Sequence, residues 1–290
     1  LKPEIAVVTN VEHDHPDMFS TPQDFQSAFQ DFVALLPPDG TLLVCGDDPG
    51  ASELLPHAPA GCVTYRYGIS DPDFDYYADG LRSNDHGGFN ADVYHQGDPF
   101  THLDLQVPGA YNLKNALATL AIMDRLDLPI AEAVEALTAF EGAGRRFDVL
   151  GEAGDVIVID DYGHHPTEIR ATLKAARQRY PDHRIWAVWQ PHTYTRTKLL
   201  FDEFVNAFED ADAIVVTEVF RSREPVDPNF SSHQVVNAMQ HDDVHFAPTL
   251  ADATAFLLEY LQAGDVMIVF SAGDATEISK RVYTALSTRS

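Results

Sequence analysis

The stretch VIVIDDYGHHPTEI, residues 156–169, decides how this chain is read. A short apolar run ends in Asp160 and Asp161. Tyr162, Gly163, His164 and His165 follow, and Pro166-Thr167-Glu168 opens a helical pattern. Apolar strand, polar crossing and helix start is where an open α/β domain carries its chemistry, because ligands bind beyond the carboxyl ends of the strands. Pro166 suits the first helical position, where its missing N–H would be unpaired anyway. The orphan N–H groups of that helix start favour an anion. Two adjacent histidines after a strand are also ordinary polar loop residues, so the stretch acquires meaning only from its context.

That context is regular. Strand patterns at 185–189, 213–217, 244–246 and 266–270 alternate with helical patterns at 167–178, 198–208, 232–239 and 250–261, and a last helix follows 274. Such alternation predicts a mostly parallel sheet covered on both faces. Polar clusters at 161–165, 192–196, 221–224 and 271–274 follow successive strands. In a parallel sheet these ends share one edge, so four clusters together argue for a site far better than one. No GxGxxG marks a dinucleotide site, and no G-x-S-x-G marks a serine nucleophile.

Upstream, residues 140–147 (FEGAGRRF) hold two glycines and then Arg145 and Arg146. Glycine-rich flexibility and a restarting strand pattern predict a boundary, with domains at 1–142 and 143–290. An arginine there can grip phosphate or make a surface ion pair. Before it, residues 5–9, 41–45 and 63–67 read as strands, and 23–36 as a helix started by Thr21-Pro22. Residues 70–109 change character and predict antiparallel strands, with alternating patches at 89–95 and 101–107. Tyr76 and Tyr77 fit sheet packing there better than ligand stacking. Helical spacing returns at 109–126, where Leu113, Leu117, Leu120 and Ile122 share an apolar face, and again at 131–139. Asn112 and Asn115 stand three apart near that helix start, placed to read a nucleotide or to cap the helix. Glu12, His13, Asp14, His15 and Asp17 crowd the end of the first strand, a donor set suited to a hard divalent ion or simply to an acidic loop.

Composition narrows the classes. The chain has 290 residues with 45 acidic against 19 basic, a formal charge of -26. That balance disfavours nucleic acid and anionic membrane surfaces, and an anionic substrate would need local arginine, lysine or metal. Cys45 and Cys62 give neither a disulfide framework nor metal spacing, which fits a reducing cytoplasm. No run is long and apolar enough to span a membrane. The first residues lie inside a strand pattern with no initiator Met, so the chain reads as part of a larger protein.

Five motifs in order carry a family resemblance: NVEHDHPD at 10–17, GAYNLKNALAT at 109–119, GRRFD at 144–148, DDYGHHPTE at 160–168 and QPHTYTRT at 190–197. Together they resemble the Mur ligases of peptidoglycan synthesis, over nearly the whole chain. The resemblance implies an α/β chain: the remainder of a central ATPase domain, then a complete Rossmann-like amino-acid-binding domain with a mostly parallel sheet. It implies ATP and Mg2+ as cofactors, a cytoplasmic role in cell-wall biogenesis, cell shape and division, and ligation of L-alanine to UDP-N-acetylmuramate through an acyl phosphate. Two alternatives are a ligase for recycled tripeptide and a non-catalytic nucleotide- or substrate-binding module. By resemblance His15 is a magnesium ligand, and Asn112, Asn115, Arg146 and Asp161 contact the nucleotide. Tyr162, His164, His192 and Arg196 hold the amino acid and the reacting carboxylate, with Arg146, His164, His192 and Arg196 closest to the chemistry. Glu168 and His165 serve as supports.

Some features depart from the family. Its phosphate-cradling G-x-x-G-K-T/S loop does not occur in these residues, so the chain by itself is expected to be inactive. Tyr111 stands where histidine is frequent, and Thr193 where arginine follows the histidine, which leaves Arg196 or Arg221 to meet the amino-acid carboxylate.

Overall fold

The first apolar run forms β1 (Ile5–Val8). A loop leads to α1 (Pro22–Val33), whose start is a reciprocal cap: Thr21 Oγ1 accepts the Asp24 N–H and the Asp24 carboxylate accepts the Thr21 N–H, each at 3.1 Å. The chain is described by a computed structural model over residues 2–84 and 86–288. β2 (Thr41–Cys45), the short α2 (Pro49–Ser52) and β3 (Val63–Gly68) follow, and β1, β2 and β3 pair in parallel. β4 (Tyr76–Ser83), β5 (Phe89–His95) and β6 (Asp98–Asp104) then run as an antiparallel meander, joined in parallel to β3 through Tyr67–Tyr76 and Gly68–Tyr77. α3 (Ala110–Arg125) and α4 (Ile130–Ala139) complete this unit, with Leu113, Leu117 and Leu120 fully buried. Tyr76 is a packing residue: it is buried, stacks on His95 at 4.1 Å and donates its hydroxyl hydrogen to Asp124 at 2.5 Å. Tyr77 stacks on Tyr94.

The chain divides between Glu141 and Gly142 into two compact units. The second begins with β7 (Asp148–Ala153) and β8 (Val156–Asp161), then α5 (Pro166–Arg179) and β9 (Arg184–Trp189). α6 (Tyr194–Leu199) and α7 (Phe201–Val205) lead to β10 (Ala213–Val216) and α8 (His233–Ala238). β11 (Val244–Phe246), α9 (Leu250–Tyr260), β12 (Asp265–Phe270) and α10 (Thr276–Ser287) close it. The sheet order is β11-β10-β9-β12-β8-β7, parallel throughout except for β7, which runs antiparallel to β8. The central strands are buried on both faces and therefore read as continuous apolar runs. Ile159, Ile185, Ala187, Trp189 and Ile268 face one core with α5 and α7, while Val158, Trp186, Val188 and Met267 face the other with α9 and α10.

β12, the last strand, enters between β8 and β9. The carboxyl ends of β8, β12 and β9 are thus neighbours, and the polar segments leaving them meet at one edge. Two expectations change. The helix expected at 198–208 is two short helices separated at Leu200, whose backbone (φ -101, ψ 27) is not helical. The strand expected at 101–107 is β6, three residues earlier. Among the described residues no helix is long and apolar enough to cross a membrane.

Trp189 and Phe204 stack at 4.6 Å between centroids, and both are fully buried. Phe204→Ala removes this contact and leaves a cavity that α7 is too short to close. The expected cost is about 3–5 kcal/mol, read as a lower urea midpoint in tryptophan fluorescence. An unchanged midpoint would mean that α7 does not hold this core together.

Candidate active site

The site is built on the end of β8. Asp161 is 3 % exposed, and its carboxylate points inward. Oδ2 accepts the Phe147 N–H at 2.8 Å and Oδ1 accepts the Gly163 N–H at 2.6 Å. Gly163 permits that approach, since a Cβ there would lie 2.7 Å from Asp161 Oδ1. The Asp161 carbonyl accepts from Ser271 N at the end of β12, and Tyr162 N donates to the Arg145 carbonyl at 2.7 Å. Burial pushes the Asp161 carboxyl up to about 6, against the two N–H bonds that favour its charged form.

Next comes a reciprocal cap with histidine in the capping role. His165 Nδ1 accepts the Thr167 N–H at 3.3 Å, while Glu168 Oε2 accepts the N–H groups of His164 and His165 at 2.9 and 3.2 Å. Pro166 occupies the first helical turn. Burial works to raise Glu168, but His164 with its N–H, Arg146 and the His165 N–H outweigh it and hold the carboxyl below its ordinary value. His164 Nδ1 lies 3.1 Å from the Tyr162 carbonyl and 3.4 Å from Glu168 Oε2. The guanidinium carbons of Arg145 and Arg146 lie 4.8 and 5.3 Å from the centre of the Tyr162 ring, and Arg146 Nη1 is 3.4 Å from Glu168. Arg145 also donates to the Ser271 carbonyl.

Beyond β9, His192 pairs with Phe220 in an isolated parallel bridge, and their rings stack at 5.7 Å. Thr193 stands at φ 68, a left-handed conformation rare for a β-branched residue. It is held there by Thr193 N donating to the Phe220 carbonyl and by Thr197 donating twice to the Thr193 carbonyl. Glu224 caps the start of α6, accepting from Tyr194 N and from the N–H and hydroxyl of Thr195. Arg196 is 3 % exposed, with Nη1 3.0 Å from His192 Nδ1. The His164 and His192 rings are 6.0 Å apart.

Tyr162, His164, His192 and Arg196 therefore meet at one sheet edge, with Arg146 against Tyr162. Two of the expected contact residues are engaged within the protein. Asp161 is buried, with each carboxylate oxygen bonded to a backbone N–H. Arg196 is buried, with Nη1 against His192 Nδ1. Arg221 is exposed, with Nη1 3.4 Å from the Glu224 carbonyl.

In the first unit, Asn112 Nδ2 donates to the Pro108 carbonyl at 2.7 Å, which is the capping alternative, and Asn115 is exposed. His15 is exposed, with its two ring nitrogens 3.8 and 3.9 Å from Asp14 and Asp17. Among the described residues no three His, Cys, Asp or Glu side chains form a metal-binding group, so His15 offers one donor and not a metal cage. Sequence reasoning placed Glu224 in a polar cluster without its capping role, 30 residues from Tyr194, and gave Arg145 no contact with the Ser271 carbonyl.

Residues 1–123 match the Mur ligase middle domain, and residues 145–273 match the Mur ligase, glutamate ligase domain. The chain belongs to the Mur ligase family. It is 40% identical over 296 residues to the UDP-N-acetylmuramate–L-alanine ligase of Sorangium cellulosum, covering 100% of this chain and 62% of that protein. The ligase of the same name from Desulforamulus reducens is 37% identical, covering 99% of this chain and 62% of that one. The chain thus spans somewhat under two thirds of these relatives. In fold it matches a crystal structure of UDP-N-acetylmuramate–alanine ligase from Thermotoga maritima, at TM-score 0.80 and 24% identity over 100% of this chain and 61% of that one. A murein peptide ligase from Psychrobacter arcticus matches at TM-score 0.69 and 23% identity, over 99% of this chain and 58% of that one.

Asp160, next to the site, is 4 % exposed, and its Oδ1 has no hydrogen-bond partner. Asp148 faces it across the antiparallel ladder. Burial pushes its carboxyl from 3.8 to about 6, partly opposed by Arg145. Between these values the folded chain binds a proton that the unfolded chain releases. The stabilising contribution is complete below pH 4 and is lost as pH rises through 6. Asp160→Asn should therefore raise thermal stability at pH 7.5, by about 2 kcal/mol, and change it little at pH 4. Equal shifts at the two pH values in thermal unfolding would refute this account.

Proposed function

We propose that the whole protein is an ATP-dependent carbon–nitrogen ligase that joins L-alanine to UDP-N-acetylmuramate in cytoplasmic peptidoglycan synthesis. The observation that carries this reading is the meeting of Tyr162, His164 and His192 at the strand edge of a domain that matches a Mur ligase family domain. The identity to ligases named for this reaction supports the choice of substrates. The substrate carboxylate attacks the γ-phosphate of ATP to give an acyl phosphate, and the amine of L-alanine then displaces phosphate from that carbonyl. Donors aimed at the developing charge lower such barriers.

Within this reading Arg146, half-exposed and steadied by Glu168, binds phosphate oxygens. Tyr162, His164 and His192 hold the amino acid and the reacting carboxylate. Arg196 works through His192, and Arg221 is the exposed arginine open to the amino-acid carboxylate. Asn112 and Asn115 lie along the nucleotide, with Asn112 fixed by Pro108. Mg2+ accompanies ATP and would neutralise phosphate charge; His15 contributes one ligand at most, so every step assigned to this chain is carried by its own side chains.

Full-length protein given ATP, UDP-N-acetylmuramate and single amino acids should release ADP in proportion to L-alanine. Turnover that ignores L-alanine would sink the assignment, and preference for a recycled tripeptide would select the other ligase. Nucleotide binding without any turnover would point to a binding module. Arg146→Ala should cut kcat/KM by roughly 10- to 100-fold, the worth of one charge-assisted hydrogen bond, without changing the far-UV circular dichroism. Unchanged kinetics would remove Arg146 from the phosphate site.

A further inference from the structure

The loop that leaves β1 carries His15, and a histidine two residues earlier closes it. At the base of the loop, Oδ1 of Asp48 accepts the Val11 N–H at 3.0 Å and the Ala51 N–H at 2.7 Å. Gly50 allows this approach, because a Cβ there would lie 2.4 Å from the Val11 carbonyl oxygen. The base is thus pinned to the start of α2, beyond the end of the neighbouring strand β2. The far side is closed by His13, whose Nε2 lies 2.9 Å from the Phe19 carbonyl oxygen. A carbonyl only accepts, so Nε2 of His13 carries a proton and donates the bond.

Between His13 and Phe19 the backbone makes one tight turn. The His15 carbonyl accepts the N–H of Met18 at 2.8 Å and that of Phe19 at 2.9 Å. His15 stands at φ 53, a left-handed conformation that residues other than glycine keep only where their surroundings hold them. The rings of His13 and Phe19 both meet Phe25 of α1 edge-on, at 6.2 and 5.2 Å between centroids, and Phe25 lies against Phe29. The loop is therefore seated on α1 while the His15 ring stays exposed, with Asp14 and Asp17 at 3.8 and 3.9 Å from its nitrogens. An imidazole in that anionic setting suits a divalent cation that brings its other ligands with it, as magnesium does with water and phosphate.

We propose that His13 is a positioning residue: its Nε2–H bond to the Phe19 carbonyl latches residues 13–19 and presents His15 to the cation. The proposal rests on the ligase reading above, in which His15 offers Mg2+ one ligand. A single exposed donor contributes to binding only if it is already in place when the nucleotide-bound ion arrives. On a free loop, the entropy of ordering the chain would offset most of what that one bond contributes. The latch removes this cost in advance. His13 acts through the backbone of His15 and through Phe25, and touches neither the ion nor the substrates.

Hydrogen exchange on peptides spanning this loop reads the latch in full-length protein with no ligand added. His13→Asn should speed exchange at Met18 and Phe19 by roughly three- to tenfold, the worth of one neutral hydrogen bond. His13→Gln, whose amide N–H reaches as far as Nε2, should restore the slow exchange. Both variants remove the ring from Phe25, so the pair isolates the hydrogen bond from the packing. Mn2+ added with ADP in place of Mg2+ reads the consequence: electron spin-echo modulation detects an imidazole nitrogen on the ion, and its loss in His15→Gln assigns it. The modulation should be present in wild type and in His13→Gln, and at least threefold weaker in His13→Asn. Equal exchange in His13→Asn and wild type overturns the proposal, and so does a nitrogen signal absent from wild type or undiminished in His13→Asn. ADP release with L-alanine, measured on the same samples, separates the two readings. Turnover without the nitrogen signal overturns this proposal and leaves the ligase standing, whereas the expected exchange and modulation in a protein that ligates nothing support the latch and overturn the ligase reading.

Discussion

One buried carboxylate holds the candidate site in register. Asp161 binds the N–H of Phe147, before β7, and the N–H of Gly163, in the crossing to α5, while its carbonyl binds Ser271 after β12. The segment before β7, the crossing to α5 and the distant end of β12 are thereby fixed at one strand end. Burying a carboxylate is costly, and two backbone donors offset only part of that cost. The remainder is visible as a carboxyl displaced upward to about 6. Everything the site needs on this side depends on that arrangement: Tyr162 hangs from the Arg145 carbonyl, and His164 and Glu168 follow within one turn.

The opposite wall is held by strain and by a distant cap. A β-branched residue at positive φ costs on the order of 1–3 kcal/mol, and Thr193 persists there because its neighbours overdetermine it. Its N–H is bound by Phe220, its carbonyl by Thr197, and the helix that follows is capped by Glu224. These bonds aim the His192 ring at His164 while turning Arg196 inward. The two walls are therefore built by different means, a pinned carboxylate on one side and a forced backbone on the other.

Much of this was legible in the sequence, for physical reasons. Strands buried on both faces must be apolar throughout, so β8, β9, β10 and β12 stood out. Pro166 with Glu168 two residues later marked the start of α5 from local capping chemistry alone. The clustering of polar residues after strands gave the site edge, because parallel topology forces those ends together. What stayed hidden was set by contacts remote in sequence. Glu224 reaches α6 from the far side of β10, so neither the early start of that helix at Tyr194 nor its break at Leu200 has a local signal. Side-chain direction was hidden in the same way. Asp161 and Arg196 occupy motif positions that suggest ligand contact, yet backbone donors draw one inward and His192 draws the other. A motif fixes residue type and spacing; only the packed structure decides whether a charged group faces ligand or scaffold.

The charge of the chain sharpens this distinction. A formal -26 opposes the approach of anionic reactants such as those proposed here. Yet the repulsion of exposed acids is screened beyond about 8 Å at physiological ionic strength, so it acts mainly on encounter and little on the bound state. Within that radius the local groups decide, and Arg145 and Arg146 both lie against Tyr162. Arg145 is drawn to the Ser271 carbonyl, which leaves Arg146 as the more exposed of the two, held by Glu168 and the Tyr162 ring. Such a tether favours exchange: a phosphate oxygen offers Arg146 a stronger acceptor than a carboxylate already bound to two backbone N–H groups. Glu168, relieved of the arginine, would then act wholly on His164.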